Sequence, residues 1–171
     1  YNAEEINELY VEITRLVILN AYDEARRLIT DLHSTDFIDY LNFSNDKLVI
    51  KILDHYADLL KPESLVWATP NTKGKIYEII GALQTANLIE DLDTEDAIEV
   101  IEEFNHDRKE EILKNISSVK KSRILEGFTY PENTVGRIME RKFISFPDYF
   151  LVADAIKHIK DSQINQDIHA A

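Results

Sequence analysis

The chain has 171 residues, 44% of them hydrophobic, with four glycines, four prolines and no cysteine. That is enough apolar material for one domain or one and a fraction, and it excludes disorder, disulfide staples and thiolate metal sites. A formal net charge of −13 repels nucleic-acid phosphates and anionic lipid headgroups and favours cations as partners. No apolar run, Leu16 to Leu19 among them, approaches the roughly 18–20 residues that cross a bilayer, and no signal-peptide pattern opens the chain.

Helix signals recur at short intervals. Ile6, Leu9, Ile13 and Val17 form a one-sided stripe, and Ala25, Leu28, Ile29 and Leu32 repeat it. Capping residues then arrive about once per short helix. Ser34-Thr35 precedes Phe37, Ile38 and Leu41; Ser44 precedes Leu48, Ile52 and Leu53; Thr69-Pro70 precedes Ile76, Ile79, Ile80 and Leu83. Thr85, Asp93-Thr94, Asn105 and Ser117 are expected to open later segments, and Gly127 to close one. Helices this short cannot bury an apolar face alone and must stack on their neighbours. Identity between units is poor, so an irregular superhelix is expected over residues 1–130.

The densest acidic stretch runs from Glu90 to Glu111. On a helix starting near Asp93, Glu95 and Glu99 are i and i+4, as are Glu99 and Glu103; Asp96 projects beside them. Ala97, Ile98, Ile101 and Phe104 supply the buried stripe of the same helix. Like charges at i, i+4 cost roughly 0.2–0.5 kcal/mol each. The helix dipole offsets this in the first turn but not at Glu102 and Glu103. A solvated face explains such a run; so does a site for a hydrated cation, because Mg²⁺ keeps several waters and needs one or two carboxylates.

Other site chemistry is not encoded. An EF-hand at Asp91-x-Asp-x-Glu lacks its central glycine. His33, His55, His106, His158 and His169 are scattered, and no phosphate loop or nucleophile elbow is present. Ser44, Ser117 and Ser118 read as caps, and Trp67 as a core or groove anchor. No convergent acid, base and nucleophile can be named, so an enzyme is not expected. Beyond residue 130, Lys142 to Phe146 is β-prone, Pro147-Asp148 turns the chain, and Leu151, Ala155, Ile156 and Ile159 form one side of a helix. A lone strand needs partners, so an unfinished α/β unit is expected there.

Three blocks carry a family resemblance. Tyr130-Pro-Glu-Asn-Thr-Val-Gly-Arg-Ile-Met139 resembles the point where MgtE-type magnesium transporters pass from an N-terminal helical domain into their first CBS domain. Leu32-His-Ser-Thr-Asp-Phe-Ile-Asp-Tyr-Leu41 is similar to the family's Leu-His-Pro-x-Asp-Leu-Ala-x-x-Leu opening. Asp91-Leu-Asp-Thr-Glu-Asp-Ala-Ile-Glu99 is similar to its later acidic segment. Ser34 replaces the usual proline, Glu95 and Glu99 the usual aspartates, and Arg137 a frequent glycine, while Lys61 to Gly81 matches loosely.

The resemblance implies a mainly α fold: an irregular right-handed α-superhelix over residues 1–130, then an incomplete α/β segment, the start of the first CBS domain, over 131–171. It also implies a regulatory Mg²⁺-sensing domain on the cytoplasmic face of the cell membrane. Its partners would be the CBS and transmembrane domains of the same parent chain, in a homodimer. Carried over by position, shared Mg²⁺ binding falls on Glu95, Asp96 and Glu99, and through the weaker middle on Glu63. The competing expectation is an acidic α-solenoid that binds a protein partner, similar to flagellar motor-switch helical domains.

Overall fold

The computed structural model describes residues 3–130, 134, 151–153 and 156–157. Among them the helices are α1 (Ala3–Ile18), α2 (Tyr22–Thr30), α3 (Ser34–Phe43), α4 (Asp46–Tyr56), α5 (Pro62–Trp67), α6 (Pro70–Glu90), α7 (Thr94–Glu102), α8 (His106–Asn115) and α9 (Ser118–Gly127), with one 3₁₀ turn at Ala57–Leu59. Each helix contributes a few apolar side chains to a shared core, among them Ile13, Ile38, Leu41, Ile52, Leu65, Ile76, Ile89, Ile101, Ile112 and Ile124, all fully buried. Burying one such side chain stabilises by about 1.5–3 kcal/mol, so no single helix holds its own weight and stacking is obligatory.

The stacking runs in two rows. In one, α3 packs on α5, α5 on α7 and α7 on α9; in the other, α4 packs on α6 and α6 on α8. Contacts of α6 with both α5 and α7 tie the rows together, while α1 packs against α2 and α4. Polar ties reinforce the N-terminal end. The Tyr10 hydroxyl donates to the Asp36 carbonyl at 2.7 Å, Thr14 Oγ1 and the Tyr40 hydroxyl lie 2.7 Å apart, and Arg26 grips Asp58 with two bonds of 2.6 and 3.0 Å. Burial, together with the charges of Asp36 and Asp39, pushes the Tyr10 hydroxyl up to about 12.

Several caps stand where the sequence places them. Thr69 accepts from Thr72 N with Pro70 in the first turn, Asn105 accepts from Arg108 N, and Ser117 accepts from Lys120 N. Others differ. Asn45, not Ser44, caps α4 by accepting from Leu48 N; Ser44 closes α3, its hydroxyl donating to the Tyr40 carbonyl at 2.6 Å. Ser34 is the first helical residue of α3, behind His33 at the N-cap. Thr85 opens nothing: it is buried inside α6, donating to the Gly81 carbonyl at 2.8 Å.

The break in α6 falls at Gly81, whose φ of 76° and ψ of 173° are accessible to glycine and strained for other residues. That break resets the helical phase and leaves Leu83 56% exposed instead of on the buried stripe. Gly127 does not take a left-handed cap. It stays helical, and its lack of a side chain serves packing instead: a Cβ there would collide with Ile98 Cδ1. The left-handed stop belongs to Asn20 (φ 59°) after α1, where Ala21 N bonds back to the Leu16 carbonyl at 2.9 Å.

The expected strand at 142–146, its proline turn and all but Tyr130 and Thr134 of the 130–139 junction lie outside the described residues. Of the expected helix after Pro147, residues 152, 153, 156 and 157 are helical, and Leu151, Val152 and Ile156 are exposed. Among the described residues there is no strand.

Candidate functional site

The predicted site residues lie on two neighbouring helices of the α3–α5–α7 row, Glu63 on α5 and Glu95, Asp96 and Glu99 on α7. On α7, Ala97, Ile98, Val100 and Ile101 are buried, which turns Glu95 and Glu99 outward one helical turn apart, with Asp96 half-buried beside them. On α5, Ser64 and Leu65 are buried and Glu63 and Trp67, also one turn apart, are exposed. On α3 the same logic exposes Thr35, Asp39 and Phe43. Because α5 packs on both α3 and α7, each stripe stands on a helix next to another of them, and Glu63 lies on the helix neighbouring Glu95, Asp96 and Glu99.

Glu63, Glu95, Asp96 and Glu99 form no ion pair among the described residues. Glu95 feels the consequence. Partial burial, followed by the negative charges of Glu99, Asp96 and Asp93, raises its carboxyl above the ordinary glutamate value. A cation placed against this face would remove that penalty. Among the described residues no three histidine, aspartate or glutamate side chains converge as a ready-made metal cage. A hydrated Mg²⁺, which keeps most of its water, needs no such cage and asks for only one or two carboxylates.

The rest of the Glu90 to Glu111 run does structural work that the sequence reading did not assign. Glu103 pairs at 2.8 Å with Lys73, whose side chain is only 4% exposed, so the repulsion expected at Glu103 is answered by a cation from α6. Glu90 accepts from the Ser117 hydroxyl at 2.5 Å and Ser117 N at 3.0 Å, which holds its carboxyl below the ordinary value and joins α6 to the start of α9. Glu111 accepts from the Tyr77 hydroxyl, and Arg108 lies over the Tyr77 ring while bonding Glu78 at 2.7 Å. Lys73 was the missed residue. Its place in the poorly matching middle hid it, and no local pattern announces a buried lysine.

Histidines take ordinary roles: His55 stacks on Tyr22 at 3.7 Å between ring centres, and His106 sits 3.7 Å from Glu110. Of the core and groove roles expected of Trp67, the core one is ruled out: Trp67 is 61% exposed, and Phe43 is 86% exposed. No helix among the described residues is long and apolar enough to cross a membrane.

Comparison with known proteins agrees with this architecture. No curated protein matches the chain. A solved structure described as the soluble part of a magnesium transporter superposes with a TM-score of 0.62 at 18% identity, over 91% of this chain and 62% of that one. At that identity the likeness concerns the fold, and the chain spans less than two thirds of its neighbour. Residues 32–133, well over half of the sequence, match the MgtE intracellular N domain, and the chain belongs to that family.

Proposed function

We propose that this domain senses Mg²⁺ for a magnesium transporter from the cytoplasmic face of the membrane, through ions bridging Glu95, Asp96, Glu99 and Glu63 to a CBS domain of the same parent chain. The observation that carries the reading is the outward face of α7, where Glu95 and Glu99 stand one turn apart beside Asp96 with no ion pair among the described residues; partial burial, then the neighbouring carboxylates, raises the Glu95 carboxyl. At low Mg²⁺ the face repels an acidic partner surface and the two separate. As Mg²⁺ rises, hydrated ions neutralise both walls and favour a compact arrangement that closes the pore. Moving a two-state equilibrium from 1:99 to 99:1 takes about 5.5 kcal/mol of differential binding, so several such ions must cooperate.

Half of each shared site lies outside this chain, so it should bind Mg²⁺ far more weakly than a parent protein carrying the complete CBS pair. Calorimetric titration of the two, side by side, checks this; equal and tight affinity contradicts a shared site. In the full parent, Glu95→Gln with Glu99→Gln should weaken Mg²⁺-induced protection from proteolysis, and unchanged protection rejects those two residues.

A further inference from the structure

Two large aromatic side chains, Phe43 (86% exposed) and Trp67 (61%), end the neighbouring helices α3 and α5, each one turn beyond an exposed carboxylate, Asp39 and Glu63. Their proximity is fixed by Asn42: its Nδ2 donates to the Trp67 carbonyl at 3.0 Å, and its Oδ1 accepts from Thr69 N at 2.9 Å. This joins the ends of α3 and α5 where the two aromatic residues stand. Nothing in the helix repeat demands an apolar residue there. The position on α7 equivalent to Phe43 is taken by Glu103, which is held by Lys73. Hydrated metal ions have no use for solvent-facing aromatic rings, so Mg²⁺ bridging leaves the pair unexplained. Exposed tryptophan and phenylalanine next to charge are what protein interfaces use as anchors.

We infer that Phe43 and Trp67, one turn from Asp39 and Glu63 and next to the helix that carries Glu99, form a docking surface for a basic amphipathic peptide segment of a partner protein. Charge selects the occupant. Aliphatic side chains cover Phe43 and Trp67, while lysine or arginine meets the carboxylates and the Trp67 ring face. The surface is three helices wide, about 20 Å at the usual 8–10 Å spacing, and takes a helical segment of a few turns. The inference stands on the aromatic pair and holds whether or not the same carboxylates bridge Mg²⁺.

Trp67 is the sole tryptophan of the chain and so reports on its own site. The chain is titrated with a synthetic lysine–leucine amphipathic peptide, with a glutamate–leucine peptide of the same pattern, and with Mg²⁺ alone, following Trp67 emission. The lysine–leucine peptide should shift the emission to the blue and saturate, weakening with salt; the acidic peptide should do neither. Phe43→Ser, at a position too exposed to disturb folding, should weaken binding at least about tenfold, the effect of losing one interface anchor. Val119→Ser, at an exposed apolar residue on the basic helix α9, should leave it within about twofold, the range of an ordinary surface change. Absence of a blue shift, equal response to the acidic peptide, or indifference to Phe43→Ser overturns the proposal. So does a shift that grows with concentration of the chain alone, which would make a second copy the occupant. Failure of Mg²⁺ to bind leaves these outcomes untouched, so the two readings fail separately.

Discussion

Two units of this molecule, α3–α4 and α7–α8, are built alike sixty positions apart and differ in what they show to solvent. Leu32 and Leu92 are buried ahead of each pair; Ile38 and Ile98, then Leu41 and Ile101, fill the core; Asn45 and Asn105 cap the second helix by accepting from Leu48 N and Arg108 N. The outward residues diverge: Thr35, Asp39 and Phe43 on one unit, Glu95, Glu99 and Glu103 on the other. The shared part is what packing requires. Of the differing part, Glu103 is held by Lys73, but Glu95 and Glu99 are free of that requirement, so their acidity needs a reason beyond stability.

The largest test of that equivalence is in the core. Ile38→Ala and Ile98→Ala should each cost about 2–5 kcal/mol in denaturant unfolding, because both side chains are almost wholly buried at matching positions. A cost at one site and none at the other would break the comparison. Next comes the outward position where the units part. Glu103→Gln leaves the buried Lys73 ammonium without its counter-charge and should cost about 1–3 kcal/mol, whereas Phe43→Ser should stay within about 0.5 kcal/mol. Removing both members of the pair, Lys73→Met with Glu103→Gln, should recover most of the loss. Asn45→Ala and Asn105→Ala should then each cost about 1 kcal/mol, as equivalent caps.

Much of this is legible in the sequence alone. Core positions such as Ile98, Ile101 and Phe104 follow from helical periodicity, and Thr69, Asn105 and Ser117 announce themselves as caps. The acidic face of α7 was readable for the same reason: once the apolar stripe is placed, Glu95 and Glu99 have to point away from it. Long-range pairings were not readable. Lys73 meets Glu103 only because α6 runs beside the end of α7, and Glu90 meets Ser117 only because α9 returns to α6. The likeness of the two units was masked by side chains that packing leaves unconstrained. Which of its two expected roles Trp67 takes was not readable, because an aromatic residue ending a six-residue helix has no periodicity to place it.

The smallest effects are electrostatic and opposite in sign at two glutamates. Glu95 is raised, so its contribution is present in full below the ordinary carboxylate range and lost as pH rises through its raised value. Glu95→Gln should therefore stabilise slightly at neutral pH, by a few tenths of a kcal/mol at so exposed a site, and the gain should vanish in acid. Glu90 is lowered, so its contribution is present above the ordinary range and lost as pH falls through its depressed value. Glu90→Gln should destabilise at neutral pH, with the difference closing on acidification. Thermal melts across this range read both curves.

The most direct test follows the Glu95 carboxyl itself by NMR, titrated in millimolar Mg²⁺ and in NaCl of equal ionic strength. If this face is one wall of a magnesium site, Mg²⁺ lowers the Glu95 pKa below its value in NaCl, and Glu99→Gln reduces that drop. Superimposable titrations in the two salts would contradict the account.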